Sequence, residues 1–318
     1  MISYLEFEKP VAALDARIGE LRDTAESSGL AGDLDIAAEI RKLEAKSAEL
    51  LASTYRTLTP WQKTQVARHP SRPHFRDYVA RMVTDFVPLG GDRCFGEDQA
   101  IIGGLARLGE RRVMLIGHEK GHDTQSRLRH NFGMGKPEGY RKAVRLMELA
   151  GRFGLPVVTL VDTSGAFPGV EAEERGQAEA IARSTQACLA LGVPMVATIV
   201  GEGGSGGAVA LASAERVLML EHAVYAVISP EGCASILWRT ADKAADAAEA
   251  MKVTAQDLLN LGVIDRIVPE PVGGAHRNPG STADALGKAI GEELDALIGQ
   301  PPETLRRLRE DRYLRIGA

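Results

Sequence analysis

The stretch Val193-Pro194-Met195-Val196-Ala197-Thr198-Ile199-Val200-Gly201-Glu202-Gly203-Gly204-Ser205-Gly206-Gly207-Ala208 runs from an apolar strand into five glycines over seven positions. A buried strand that feeds glycines into a small-residue helix (Ala208 to Ala212) lets backbone N–H groups crowd a ligand oxygen without Cβ interference. Three templates fit. Gly201-x-Gly203-x-x-Gly206 matches a dinucleotide fingerprint, with Glu221 placed as the ribose-binding acid, although only 208–214 remains for the crossover helix. Gly203-Gly204-Ser205-Gly206-Gly207 matches a nucleophile elbow, with Asp265 and His276 following in hydrolase order. The third template is an oxyanion hole built from main-chain N–H groups alone. A flexible Gly/Ser linker is disfavoured, because buried apolar runs flank the glycines.

Composition narrows the classes. The 318 residues suit one large α/β domain with extensions. Aromatics at 5% and 34 glycines favour tightly packed small-residue helices over a base-stacking surface, and a net charge of −5 weighs against a nucleic-acid partner. Cys94, Cys188 and Cys233 are scattered with no C-x-x-C pair, which predicts a reduced compartment and no zinc site in this chain. The start has neither a basic region nor an apolar signal core, and no run approaches the ~20 residues of a membrane span. The expectation is a cytoplasmic protein.

Along the chain, residues 1–60 show helical spacing (Leu14, Ile18, Leu21; Ile36, Ile40, Leu43, Leu50) around breakers at Ser27-Ser28-Gly29 and Gly32-Asp33, an αα-hairpin pattern. Arg68 to His74 breaks regular structure and is expected to be a linker, followed by a helix over 76–86. The predicted organisation is a helical extension and linker over 1–78, a main domain over 79–296 and a helical tail over 297–318. Within the main domain, 100–108 and 113–117 form a hairpin around Gly109-Glu110. Then come a helix over 139–153, a buried strand over 156–161, a long helix over 173–191, and strands at 194–200, 217–220, 224–228 and 264–268. Ser229-Pro230-Glu231 and Thr254 with Asp257 start helices. A second loop, Asp162-Thr163-Ser164-Gly165-Ala166-Phe167-Pro168-Gly169, follows the strand ending at Val161. If the strands are parallel it shares a sheet edge with 201–207, so that both loops line one cleft.

The loop 162–169, then Glu173-Glu174-Arg175-Gly176-Gln177, the glycine run, Ser229 to Trp238, and Pro271 to Arg277 together resemble the carboxyltransferase alpha subunits of bacterial acetyl-CoA carboxylases. Phe7-Glu8-Lys9-Pro10, Ala67-Arg68-His69-Pro70, Gly91-Asp92-Arg93 and Asn131-Phe132-Gly133-Met134 extend the resemblance over nearly the whole chain. It implies a crotonase-like α/β spiral of β-β-α units behind the N-terminal helices, in an α2β2 complex with a separate beta subunit. It also implies transfer of a carboxyl group from carboxybiotin, presented by a biotin carboxyl carrier protein, to acetyl-CoA, giving malonyl-CoA for fatty-acid synthesis. ATP would be used by a biotin carboxylase component, and zinc would sit on the beta subunit only. Both the biotin ureido oxygen and the acetyl enolate carry negative charge that main-chain donors can stabilise.

Carried onto this chain, the resemblance makes Gly206 and Gly207 the donors to carboxybiotin. Gly203 and Gly204 let the loop approach, Gly165 and Ala166 line the opposite wall, and Phe167 packs against biotin. It assigns no catalytic His or Asp and no metal ligand. Two departures stand out: Ser164 replaces a proline usual in the family, which loosens the turn, and Phe167 replaces a tyrosine, which removes a hydroxyl.

Other residues have plainer readings. His118, His122 and His130, among Lys120, Arg127, Arg129 and Lys136, form a basic stretch over 120–142 expected to be a solvated face or subunit contact rather than a site for CoA phosphates. Glu221 with His222 is expected to be a surface or capping pair, and His276 structural. Cys233 and Trp238 are expected to pack in a helix core. Glu173, Glu174 and Arg175 read as a charge cluster at a helix start, and 305–312 as a surface or docking helix.

Overall fold

The computed structural model describes residues 3–27 and 34–317, so the breakers at Ser28-Gly29 and Gly32-Asp33 lie outside the described residues. Among the described residues, eight strands form one sheet: β1 (Thr84–Pro88), β2 (Ile101–Leu108), β3 (Arg111–His118), β4 (Val157–Thr163), β5 (Met195–Gly204), β6 (Arg216–Leu220), β7 (Val224–Ala226) and β8 (Arg266–Val268). The spatial order is β1-β2-β3-β4-β5-β6-β8, with β7 paired to the far end of β5. β1 to β3 are antiparallel, and from β3 onward every pair is parallel.

The expected hairpin forms with Leu108 opposite Arg111, around a two-residue turn whose Gly109 takes φ +57°. All seven residues of β4 and the first seven of β5 are buried, as parallel strands covered by helices on both faces require. Tyr140, Ala143, Leu146, Met147 and Ala150 form the inward face of helix Pro137–Phe153; Val144 and Leu149 lie only partly buried beside it. At the N-terminus, Lys9–Ser27 and Leu34–Arg56 pair antiparallel, with Ser47 donating to Asp15 and Arg22 bridging Glu44.

Three segments depart from the sequence reading. The helix expected over 76–86 ends at Met82, because Thr84 to Pro88 joins the sheet edge against β2. The helix expected over 173–191 is cut at Gly176, whose φ of +79° an α-helix does not allow, into Val170–Glu174 and Gln177–Ala190. The segment Arg68 to His74 is irregular but is no exposed linker. Arg72 is fully buried and meets Glu270 with two parallel hydrogen bonds, 2.6 and 2.9 Å. Glu270 also accepts from the main-chain N–H groups of His222 (2.9 Å) and Ala275 (2.7 Å). Burial opposes its charge, yet Arg72 holds its pKa down at about 2.

The last helix, Pro302–Leu314, is anchored rather than lying free on the surface. Arg309, fully buried within it, donates to Cys188 O, Val193 O and Glu215, and Arg312 pairs with Asp265. Among the described residues, no helix is long and apolar enough to cross a membrane.

Candidate functional site

Both loops singled out in the sequence leave the C-terminal ends of adjacent parallel strands, β4 and β5, the edge at which such sheets bind ligands. They touch backbone to backbone. A Cβ on Gly204 would overlap the carbonyl of Ser164 and sit 2.8 Å from Gly165 N. One on Gly207 would lie 2.8 Å from Ala166 N and from Gly165 C, and 3.0 Å from the Tyr140 hydroxyl. Gly203 is packed by Tyr225 and Ile199, whereas Gly206 meets only Ile181, at an ordinary 3.4 Å. Gly204 and Gly207 are thus in contact with the 164–166 wall, Gly203 lies beside β7, and Gly206 faces comparatively open space.

The first loop is shaped by Thr163, whose hydroxyl donates to Gly165 O (2.7 Å) and accepts from Gly165 N (3.1 Å). Gly165 takes φ +148° with no atom within 4 Å of a would-be Cβ. Phe167 N donates to Gly135 O, and the half-buried Phe167 ring packs on Gly169 beneath the Lys136 ammonium, 5.0 Å from the ring centre. Position 164 is an exposed serine. The second loop enters helix Ser205–Ala212, whose first turn carries no acidic side chain to offset its N-terminal positive end.

Beneath and beside the loops runs a chain of alternating charges that the sequence reading did not assign to the site. Glu231 pairs with Arg68 (2.5 Å), Arg68 with Glu202 (2.6 Å), and Glu202 with Lys120 (3.3 Å). Lys120 in turn meets Asp162 (2.7 Å), whose other oxygen lies 3.3 Å from His74 Nδ1. Burial disfavours the charge on Asp162, but Lys120 and His74 outweigh it and hold the carboxyl well below its ordinary range. Burial likewise opposes the charge on Lys120, and Asp162 raises it again. A cleft of about 230 Å³ opens between Arg68, His74, Lys120, Arg127, Phe132 and Ser164. The available signals were a carboxylate inside an otherwise apolar strand end (Asp162) and a lysine just past another (Lys120).

Several expectations are corrected here. His118 and His130 are buried, and Lys120 points inward to carboxylates, so these three residues do not form a solvated face. Burial pushes the His118 pKa down to about 4. His222 is buried, and Glu221 accepts from Glu270 N, so the pair braces the core instead of the surface. Trp238, with Ile236 and Leu237, is exposed; only Pro230 and Ala234 of that helix turn fully inward. Arg175 pairs with Glu138 and stacks over Phe95, tying the helix start to its neighbour.

The rival templates are not assembled. Ser205 is exposed, and its hydroxyl makes no hydrogen bond among the described residues. Asp265 is committed to Arg312 and Val217 N, while His276 stacks on His69 at 3.7 Å. The acid of the dinucleotide template, Glu221, is occupied by Glu270 N.

Comparison with known proteins agrees with the geometry. A family model described as acetyl co-enzyme A carboxylase carboxyltransferase-like matches residues 4–317. The acetyl-coenzyme A carboxylase carboxyl transferase subunit alpha of Erythrobacter litoralis is 77% identical over 317 residues, spanning 100% of both chains. That of Rhizorhabdus wittichii is 74% identical over the same span. Among solved structures, transcarboxylase 12S aligns with a TM-score of 0.58 at 20% identity, over 73% of this chain and 43% of that one. The Pseudomonas malonate decarboxylase hetero-tetramer aligns with a TM-score of 0.57 at 18% identity, over 75% of this chain and 94% of that one. These two show the fold, which is of the crotonase type. The hydrolase and dinucleotide readings gain no support, and the chain belongs to the family of acetyl-CoA carboxylase carboxyl transferase alpha subunits.

Proposed function

We propose that this chain provides the carboxybiotin-side oxyanion site of an acetyl-CoA carboxylase carboxyltransferase and works only with a separate beta subunit, in an α2β2 complex that gives malonyl-CoA. Carboxybiotin on a carrier protein supplies the carboxyl group. The N–H groups of Gly206 and Gly207 donate to the ureido oxygen as it gains charge, reinforced by the positive end of helix Ser205–Ala212. Gly203 and Gly204 bring the loop close, Gly165 and Ala166 form the facing wall, and the Phe167 ring offers an apolar contact.

The observation that carries this reading is the bare wall at Gly206. It is an early helical position, where N–H groups lack intrahelical partners, and only Ile181 stands within 4 Å of a would-be Cβ. A ligand oxygen fits where side chains are missing. No side-chain acid or base is required of the loops, and the exposed, unengaged Ser205 hydroxyl is consistent with that.

The test compares Gly206→Ala with Gly206→Pro in the assembled complex, by malonyl-CoA-dependent carboxylation of biotin. Alanine keeps the N–H and has room; proline removes it in the first helical turn, where no intrahelical bond is lost. The control for an altered Ser205 backbone, which lies at φ +52° just before it, is complex assembly with unchanged thermal stability. The expected result is near wild-type turnover for Gly206→Ala and a loss of ~10²–10³ for Gly206→Pro. The wild-type chain without beta subunit should be silent. Normal turnover by Gly206→Pro in an intact complex would remove Gly206 as a donor.

A further inference from the structure

β4 and β5 pair residue for residue from Val157 opposite Met195 to Val161 opposite Ile199, and then the register breaks: the next pair is Thr163 opposite Gly203. Asp162 alone spans the three residues Val200, Gly201 and Glu202. A bulge of this kind leaves main-chain groups off the ladder, and buried groups of that sort need other partners. Charged side chains supply them. Arg72 Nε donates to Val200 O at 2.8 Å, and Glu202 N donates to Asp162 Oδ1 at 2.9 Å. The Asp162 carboxylate fills the gap so closely that a Cβ on Gly201 would lie 2.6 Å from its Cγ.

We infer that Asp162 is a positioning residue, its carboxylate acting as the spacer that sets the offset of the 201–207 loop against the 164–166 wall. The inference rests on the donor role proposed above for that loop. Three further features follow from it. Gly204 and Gly207 press on the backbone of Ser164, Gly165 and Ala166, so any slip at the bulge is carried straight into the gap between the loops. Lys120 balances the Asp162 charge and also grips Glu202, so both ends of the spacer are held by one ammonium. Arg68 then fixes the outer oxygen of Glu202 to Glu231 at the start of helix Pro230–Trp238.

The test uses the assembled complex and two variants, Asp162→Asn, which keeps size but not charge, and Asp162→Glu, which keeps charge but adds a methylene where Gly201 leaves no room. The readouts are kcat, KM for malonyl-CoA, and amide hydrogen exchange over 201–207. Asp162→Glu should lower kcat by about 10- to 100-fold through misplacement, with KM essentially unchanged and faster exchange over 201–207. Asp162→Asn, which keeps the length and an acceptor for Glu202 N, should lower it less. Wild-type kcat in Asp162→Glu would mean that charge and not position matters, and would overturn the inference. So would unaltered exchange over 201–207 in both variants. If neither variant assembles, Gly201→Ala decides by the same split: its Cβ would lie 2.6 Å from Asp162 Cγ and displace the spacer without changing its charge, and a wild-type kcat with unaltered exchange over 201–207 would overturn the inference. Should Gly206→Pro prove fully active while the Asp162 variants loosen 201–207, the donor reading fails and the spacer stands.

Discussion

The two loops of the cleft use glycine for different physical reasons. In the first, Gly165 is needed for its backbone angle: φ is +148°, and the space where a side chain would stand is empty. In the second, Gly204 and Gly207 are needed for approach, since neither has a positive φ and each would drive a Cβ into the opposing main chain. One loop is shaped by torsion and the other by contact, so substitutions in them should fail differently.

The largest effect is expected at the contact glycines. Gly204→Ala forces a methyl group into the Ser164 carbonyl, and Gly207→Ala does the same at Ala166 N. Overpacking of this sort destabilises by about 1–3 kcal/mol, and parting the loops should lower turnover by about 10². Thermal shift and carboxyl-transfer rate, measured together on the complex, would detect both. Retention of wild-type turnover by Gly204→Ala would show that the loops need not touch. A bulkier residue at 207 cannot isolate the donor, because its Cβ meets backbone before any ligand is considered; Gly206 is the position that can.

An intermediate effect is expected at Gly165→Ala. With no atom in the way the change is torsional, of about 1–3 kcal/mol, and should lower melting temperature more than it lowers turnover. If Gly165→Ala proved as damaging to rate as Gly204→Ala, the distinction between the loops would collapse.

The smallest effect is expected at Ser205, exposed at the start of its helix with φ +52°. Ser205→Ala keeps that backbone and removes a hydroxyl that has no partner among the described residues, so stability should stay within about 0.5 kcal/mol. Turnover should be nearly unchanged, and a fluorophosphonate probe should leave the wild-type chain unlabelled. Stoichiometric labelling at Ser205 would reopen the hydrolase template.

What could be read in advance follows the range of the interactions involved. The buried runs of β4 and β5, the hairpin at Gly109 and both glycine loops are written in contiguous residues, and periodicity and turn chemistry reveal them. Gly176 lies inside a long Ala- and Gln-rich stretch whose composition favours continuous helix, so its break at φ +79° is not legible from the local pattern. Thr84 to Pro88 became a strand because a neighbouring edge was available, which no local pattern announces. The charged groups were hardest. Arg68, Arg72 and His74 lie in a proline-bearing irregular stretch that looks like a linker, and their partners Glu202, Glu270 and Asp162 lie far away in the chain. Isolated charges look solvated until the fold pairs them.

The Arg72–Glu270 pair also bears on how the chain is made. Its members are 198 positions apart, and synthesis at ~5–20 residues per second separates their appearance by about 10–40 s. Throughout that interval the guanidinium lacks the carboxylate that offsets its burial, and removing one partner of a buried pair leaves a penalty of about 3–5 kcal/mol. The segment carrying Arg72 is therefore held back from its final seat under β5 until Glu270 emerges. The contact of Arg72 with Val200 O beside the bulge is among the last to form, and a chain cut short before residue 270 would carry both glycine loops with that contact unsupported.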